Sequence, residues 1–137
     1  VGFGAVVGAL PAFATVRDAV LAIEGGPLIS LTIAMNALAG LTGTASGGMA
    51  IALNQLGAYY MALAAEYNIN PELMHRITTI SAGTLDALPH NGTVLILLKL
   101  CGLTHRESYL DMVMTVIVTC IVALVAVLIL GTMFGSF

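Results

Sequence analysis

The chain has 137 residues, enough for one soluble domain, but 59% are hydrophobic, only four are Lys or Arg, seven are Asp or Glu, and the mean hydropathy is +1.04. So few charges cannot cover a globule with polar surface, and most side chains must face lipid or other membrane helices. The net charge of −3 and the lack of any Lys/Arg cluster exclude nucleic-acid binding, which needs phosphate-neutralising basic patches.

The chain opens on Val1-Gly2-Phe3-Gly4 with no basic n-region or cleavage site, so residues 1–14 read as the end of a spanning helix in a longer transporter-like chain. Arg17, Asp18 and Glu24 then mark 15–26 as an interfacial connector, stopped by Gly25-Gly26-Pro27. Residues 25–65 carry no charge, yet a run of small and hydroxyl residues over 40–48 interrupts them. The arm before it, 28–39, gives a helix of only about 18 Å at about 1.5 Å per residue, short of a hydrocarbon core of about 30 Å. Residues 27–66 therefore read as a re-entrant hairpin, ending at the polar loop Glu66-Tyr67-Asn68-Ile69-Asn70-Pro71.

Asn70 is placed as an N-cap, with Pro71 in the first turn of the next helix. That helix runs into Asp86-Ala87-Leu88-Pro89-His90-Asn91-Gly92 before a second apolar arm, so 71–101 reads as one crossing with its middle unwound. Thr104 and Glu107 spell a capping box, and the charge-free run after Asp111 makes 108–134 the final transmembrane helix. The fold class is an all-α membrane protein. Cys101 and Cys120 have no paired spacing and read as small buried hydrophobes, not a disulfide or metal pair.

A Gly/Ser/Thr-rich break in an apolar segment survives in a bilayer only where it is buried in protein or lines a polar cavity, because its backbone groups need partners. Helix ends meeting at such breaks aim free N–H groups and positive dipole ends at one point, a site suited to a carboxylate. The first break, 42–48, supplies three hydroxyls, and its glycines allow close approach to a ligand. The plainer reading is tight helix packing by small residues. The second break gathers Asp86, His90 and Asn91 in one short stretch, where ionisable groups suit a proton relay; the alternative for Asp86 is a helix cap. Glu66, His75, Arg76, His105, Arg106 and Glu107 read as solvated ends and Lys99 as a snorkelling side chain, while Asn36 and Asn54 either bond across helices or join the site. His75, His90 and His105 have no ligand-spaced partners, so no metal is expected, and no phosphate-binding loop occurs.

The stretches GGPLISLTIAMNALAGLTGTASGGMAIAL (25–53) and HRITTISAGTLDALPHNGTVLILLKLCGLTHRESYLD (75–111) resemble the gluconate permease family of proton-coupled carboxylate symporters. The resemblance implies one half of an inverted-repeat transporter, in which a hairpin tip at 42–48 and an unwound helix at 86–92 meet at the substrate. It places Thr42, Thr44, Ser46, Gly47, Asn91 and Gly92 on the substrate, with Asp86 and His90 coupling the proton. The implied partners are a small organic acid, the lipid of an inner or plasma membrane crossed several times, and the missing N-terminal half; a homo-oligomer is compatible with it. No cofactor is expected, the coupling ion being the proton or else Na⁺. The rivals are a Na⁺-coupled carboxylate transporter and a channel or structural membrane subunit. An enzyme is not expected, since Asp86 cannot orient both His90 and Ser46 as base and nucleophile.

Overall fold

The computed structural model describes residues 25–135 continuously, together with 6, 9–11, 14, 15, 18, 19, 22 and 23. The expectations for 1–14 and 15–26 lie for the most part outside the described residues. Among those described, every regular element is helical.

Helix α1 (Pro27–Thr42) begins with Pro27, whose missing N–H is no loss in a first turn. It stops at Gly43, which takes the left-handed conformation (φ 66°) so that its N–H returns to Ala39 O at 3.0 Å. Helix α2 (Ala45–Glu66) starts at once, capped by Thr44, whose Oγ1 accepts the Gly47 N–H at 3.1 Å. The sequence suggested an interruption over 40–48, but only Gly43 and Thr44 leave the helix. Ser46, Gly47 and Gly48 form the first turn of α2 instead of an unwound tip. The reason is contact: a Cβ on Gly48 would sit 2.4 Å from Ala39 Cα, so glycine there lets α1 and α2 touch backbone to backbone.

Asn68 (φ 51°) ends α2 and lets the Ile69 N–H reach Ala64 O at 2.8 Å. Asn70 then caps α3 (Pro71–Thr84), its Oδ1 accepting the Glu72 N–H at 2.8 Å. An irregular stretch, 85–91, leads to α4 (Gly92–Cys101), which Gly102 closes in the left-handed conformation. The last rod runs unbroken from His105 to Phe134. It comprises α5 (His105–Met112), a six-residue π-helical segment (Val113–Val118) and α6 (Thr119–Phe134). Glu107 secures its start by accepting from the Thr104 N–H (2.9 Å) and hydroxyl (2.7 Å). In the π region, the Thr115 and Thr119 hydroxyls donate to Asp111 O (2.7 Å) and Met114 O (3.3 Å).

At about 1.5 Å per residue this 30-residue rod is about 45 Å long. Its most apolar window has a mean hydropathy of 3.2 and almost no buried residue. Among the described residues it is the one helix long and apolar enough to cross a membrane; α1 and α4 are apolar but shorter.

The main core joins α1, α2, α3 and α6. Leu31, Ala34, Met35, Leu38 and Ala39 line one face of α1, meeting Ile51, Ala52, Leu56 and Tyr60 of α2 and Leu73, Met74 and Ile77 of α3. Leu124 of α6 completes it. Deep in the hairpin, Ser30 Oγ and Tyr60 OH share a 2.8 Å hydrogen bond. A second, smaller cluster packs Ala87, Val94 and Leu98 against Met112, Val116 and Ile117. Gly40, near the end of α1, faces Leu85, just past the end of α3, with 3.2 Å left between a built Cβ and Leu85 Cδ1. The C-terminal ends of α1 and α3 and the N-terminal end of α2 therefore meet at one end of the bundle.

Candidate functional site

At that end the two interruptions touch. The Ala45 N–H, first in α2, donates to Asp86 Oδ1 at 2.8 Å, a bond across 41 residues of sequence. The Asn91 Nδ2 donates to the same Oδ1 at 2.8 Å and to the Asp86 carbonyl oxygen. Asn91 is 1% exposed, and its Oδ1 accepts the Thr93 and Val94 N–H groups at 2.7 and 3.4 Å, capping α4. One carboxylate and one amide thus link the N-terminal ends of α2 and α4. Both ends carry partial positive charge, and a carboxylate between them is the arrangement helix dipoles favour.

His90 holds the other side of the tip. Its Nε2 donates to Gly40 O at 3.0 Å, and its ring lies over Gly43, where a Cβ would come 2.9 Å from Cδ2. His105 ties the second interruption to the last rod, its Nε2 donating to Pro89 O at 3.1 Å. His105 is half-buried at the first residue of that rod, and its bond to Pro89 lies on the surface.

The eight residues singled out from sequence fall into two groups. Asp86, Asn91, Gly47 and Thr42 are committed to the scaffold, the Thr42 hydroxyl being shared among the carbonyls of Leu38 (2.9 Å), Ala39 (3.2 Å) and Thr44 (3.1 Å). Thr44, Ser46, His90 and Gly92 form the exposed face. On that face the Ser46 and Gly92 N–H groups, one from each helix end, make no hydrogen bond among the described residues, and neither does the Ser46 hydroxyl. Such a face can receive an anion through N–H and hydroxyl donors.

Sequence reasoning missed Ala45 and Gly40, which act through backbone atoms and carry no side-chain signal. Asn91 as the cap of α4 was readable, because Asn directly before an apolar helical run is an N-cap signature. Asn36 donates within its own helix to Thr32 O at 2.9 Å, and Asn54 is exposed on α2; neither reaches the tip. Lys99 is exposed on α4, and so is Cys101 at its end, while Cys120 is half-buried on α6, which corrects the reading of both cysteines as buried. Among the described residues no three His, Cys, Asp or Glu side chains gather as a metal-binding group. An apolar cleft of about 280 Å³, rimmed by His75 and lined by Met35, Met49, Met61 and Met74, lies between α1, α2 and α3. None of the eight tip residues lines it.

The chain is 46% identical over 110 residues to a Bacillus subtilis (strain 168) protein named as an uncharacterized transporter, YxjC. The match takes in 80% of this chain and 23% of that protein, so the chain spans about a quarter of the length of the curated relative it matches. No family model matches the chain, and no solved structure matches it.

Proposed function

We propose that the chain forms one half of the substrate site of a multi-pass secondary transporter of the plasma membrane, moving gluconate or a related small organic acid together with protons. The observation that carries the reading is the meeting of two helix N-termini, α2 and α4, at a face where the Ser46 and Gly92 N–H groups and the Ser46 hydroxyl are open. The similarity to a protein named as a transporter supports the transport class. The choice of a gluconate-like substrate rests on the resemblance of residues 25–53 and 75–111 to gluconate permeases. In this reading α1 and α2 are a re-entrant hairpin, 71–101 is a discontinuous crossing, and the half of the cavity opposite the tip comes from an inverted repeat elsewhere in the protein.

The substrate carboxylate sits against Ser46 and Gly92, with Thr44 and His90 beside it. The proton travels on Asp86 or His90, and alternating access moves the tip between the two sides of the membrane. Uptake of labelled gluconate into vesicles holding the full-length protein tests this. Accumulation driven by an imposed pH gradient supports it, while accumulation driven only by a Na⁺ gradient replaces the coupling ion. Equilibration without accumulation makes the protein a channel, and no gluconate uptake under either gradient overturns the substrate.

A further inference from the structure

The apolar cleft between α1, α2 and α3 has the dimensions of a single hydrocarbon chain. Its wall on α2 runs from Met49 to Met61, about 18 Å at about 1.5 Å per residue. A volume of about 280 Å³ over that length leaves a cross-section of about 16 Å², too narrow for a helix about 10 Å across. Met35, Met49, Met61 and Met74 line it, unbranched side chains that adapt to a chain of no fixed shape. Leu53 and Met61 are exposed along its edge, so it opens sideways to the surroundings of the bundle.

One end of the cleft leads into polar ground. Pro71 and His75 belong both to the cleft and to an open hollow completed by Glu72 and Arg76. The packing of the last rod fixes the height of that hollow. A Cβ on Gly131 would sit 2.6 Å from Leu73 Cδ1, so the first turn of α3 lies beside the C-terminal end of the rod. A rod of about 45 Å overreaches a hydrocarbon core of about 30 Å, and its ends stand among the headgroups. Tyr59 and Tyr67, exposed toward the same end of α2, are where interfacial tyrosines belong. The cleft thus runs about 18 Å inward from headgroup level, against about 15 Å for the hydrocarbon of one leaflet.

We infer that the cleft binds one acyl chain of a membrane phospholipid whose headgroup, a zwitterion with a primary ammonium such as phosphatidylethanolamine, rests on Glu72, His75 and Arg76. The charges match in both signs. Arg76 presents its N–H donors in a fork suited to a phosphate, with the His75 imidazole beside it, and the Glu72 carboxylate one turn earlier takes the ammonium. A headgroup of net negative charge would set its surplus against Glu72, and a choline headgroup has no N–H to give. None of the eight tip residues lines the cleft, so a lipid here and an acid at the tip stand or fall separately.

The test is native mass spectrometry of the full-length protein in detergent, titrated with phosphatidylethanolamine, phosphatidylglycerol and phosphatidylcholine of the same acyl chains. A single phosphatidylethanolamine per chain is expected to bind at least about tenfold more tightly than either of the others. Gly57 lines the cleft and a Cβ there meets nothing within 4 Å, so Gly57→Phe fills the space without a main-chain clash. It is expected to weaken that binding by at least about tenfold. Glu72→Gln removes only the partner of the ammonium, and is expected to bring phosphatidylglycerol level with phosphatidylethanolamine. Binding unchanged in Gly57→Phe overturns the inference, as does a wild-type preference for either of the other two lipids. A folded wild type that holds no lipid overturns it too, and gives the cleft to another segment of the protein. Should Gly57→Phe fail to fold, the headgroup preference of Glu72→Gln decides: a preference equal to that of the wild type overturns it.

Discussion

The closest backbone contact in the hairpin gives the sharpest test of the fold. A Cβ at Gly48 would lie 2.4 Å from Ala39 Cα, 2.5 Å from Ala39 N and 2.8 Å from the Leu38 carbonyl carbon. Ordinary carbon contacts need about 3.5 Å, so Gly48→Ala forces α1 and α2 apart by about 1 Å, enough to forfeit a quarter to a half of the dispersion energy along the seam. No side chain can yield, because the obstruction is main chain, so the cost belongs near the top of the usual overpacking range, about 3 kcal/mol. Better helix propensity returns about 0.8 kcal/mol. The net loss is about 2 kcal/mol, a factor of about 30 in the folding equilibrium. Gly57→Ala, on the same helix, meets nothing within 4 Å and keeps only the propensity gain. Unfolding of the two variants in detergent should therefore differ by about 3 kcal/mol, with Gly57→Ala the more stable. Equal stabilities would refute the close-packed hairpin.

Gly43→Ala should cost about 1–2 kcal/mol for its left-handed conformation alone, and should also push His90 off Gly40 O; a lowered unfolding temperature checks it. Asn91→Ala removes the cap of α4 and one donor to Asp86, an expected loss of about 2 kcal/mol in the same unfolding measurement, and Asn91→Asp should recover the cap but set two carboxylates against each other. Tyr60→Phe deletes the buried partner of Ser30 and should lower stability by about 1 kcal/mol, with unchanged stability counting against the contact.

Much of the helical outline is written in local signals. Pro27, Asn70-Pro71 and the Thr104/Glu107 pair mark helix starts, and the polar stretch before Gly92 marks where α3 fails to continue. The extent of the first interruption was not readable, because glycine serves both an unwound tip and a backbone contact. Only the partner across the seam, Ala39 for Gly48, tells the two apart. At the tip, Asp86 and Asn91 were visible as unusual polar residues in an apolar chain, and a capping role for Asp86 was one of the two readings open. What no local pattern could reveal was the partner, since Ala45 lies 41 residues away and acts through its main chain. The π segment left no mark either, its Val, Met, Thr and Ile residues being equally at home in an α-helix.

That segment has a consequence for how the last rod is keyed. A π turn carries about one residue more than an α turn, so everything beyond Val118 is rotated by about 100° from where an unbroken α-helix would put it. Met112, Val116 and Ile117 grip the small cluster beside α4, whereas Leu124, Val127 and Leu128 grip the three-helix core. In a plain helix the second set would stand turned by that amount relative to the first, so the π segment sets which face of the rod each cluster meets. A one-residue change in the length of 113–118 would mis-set one cluster against the other, so the number of residues there matters more than which residues they are.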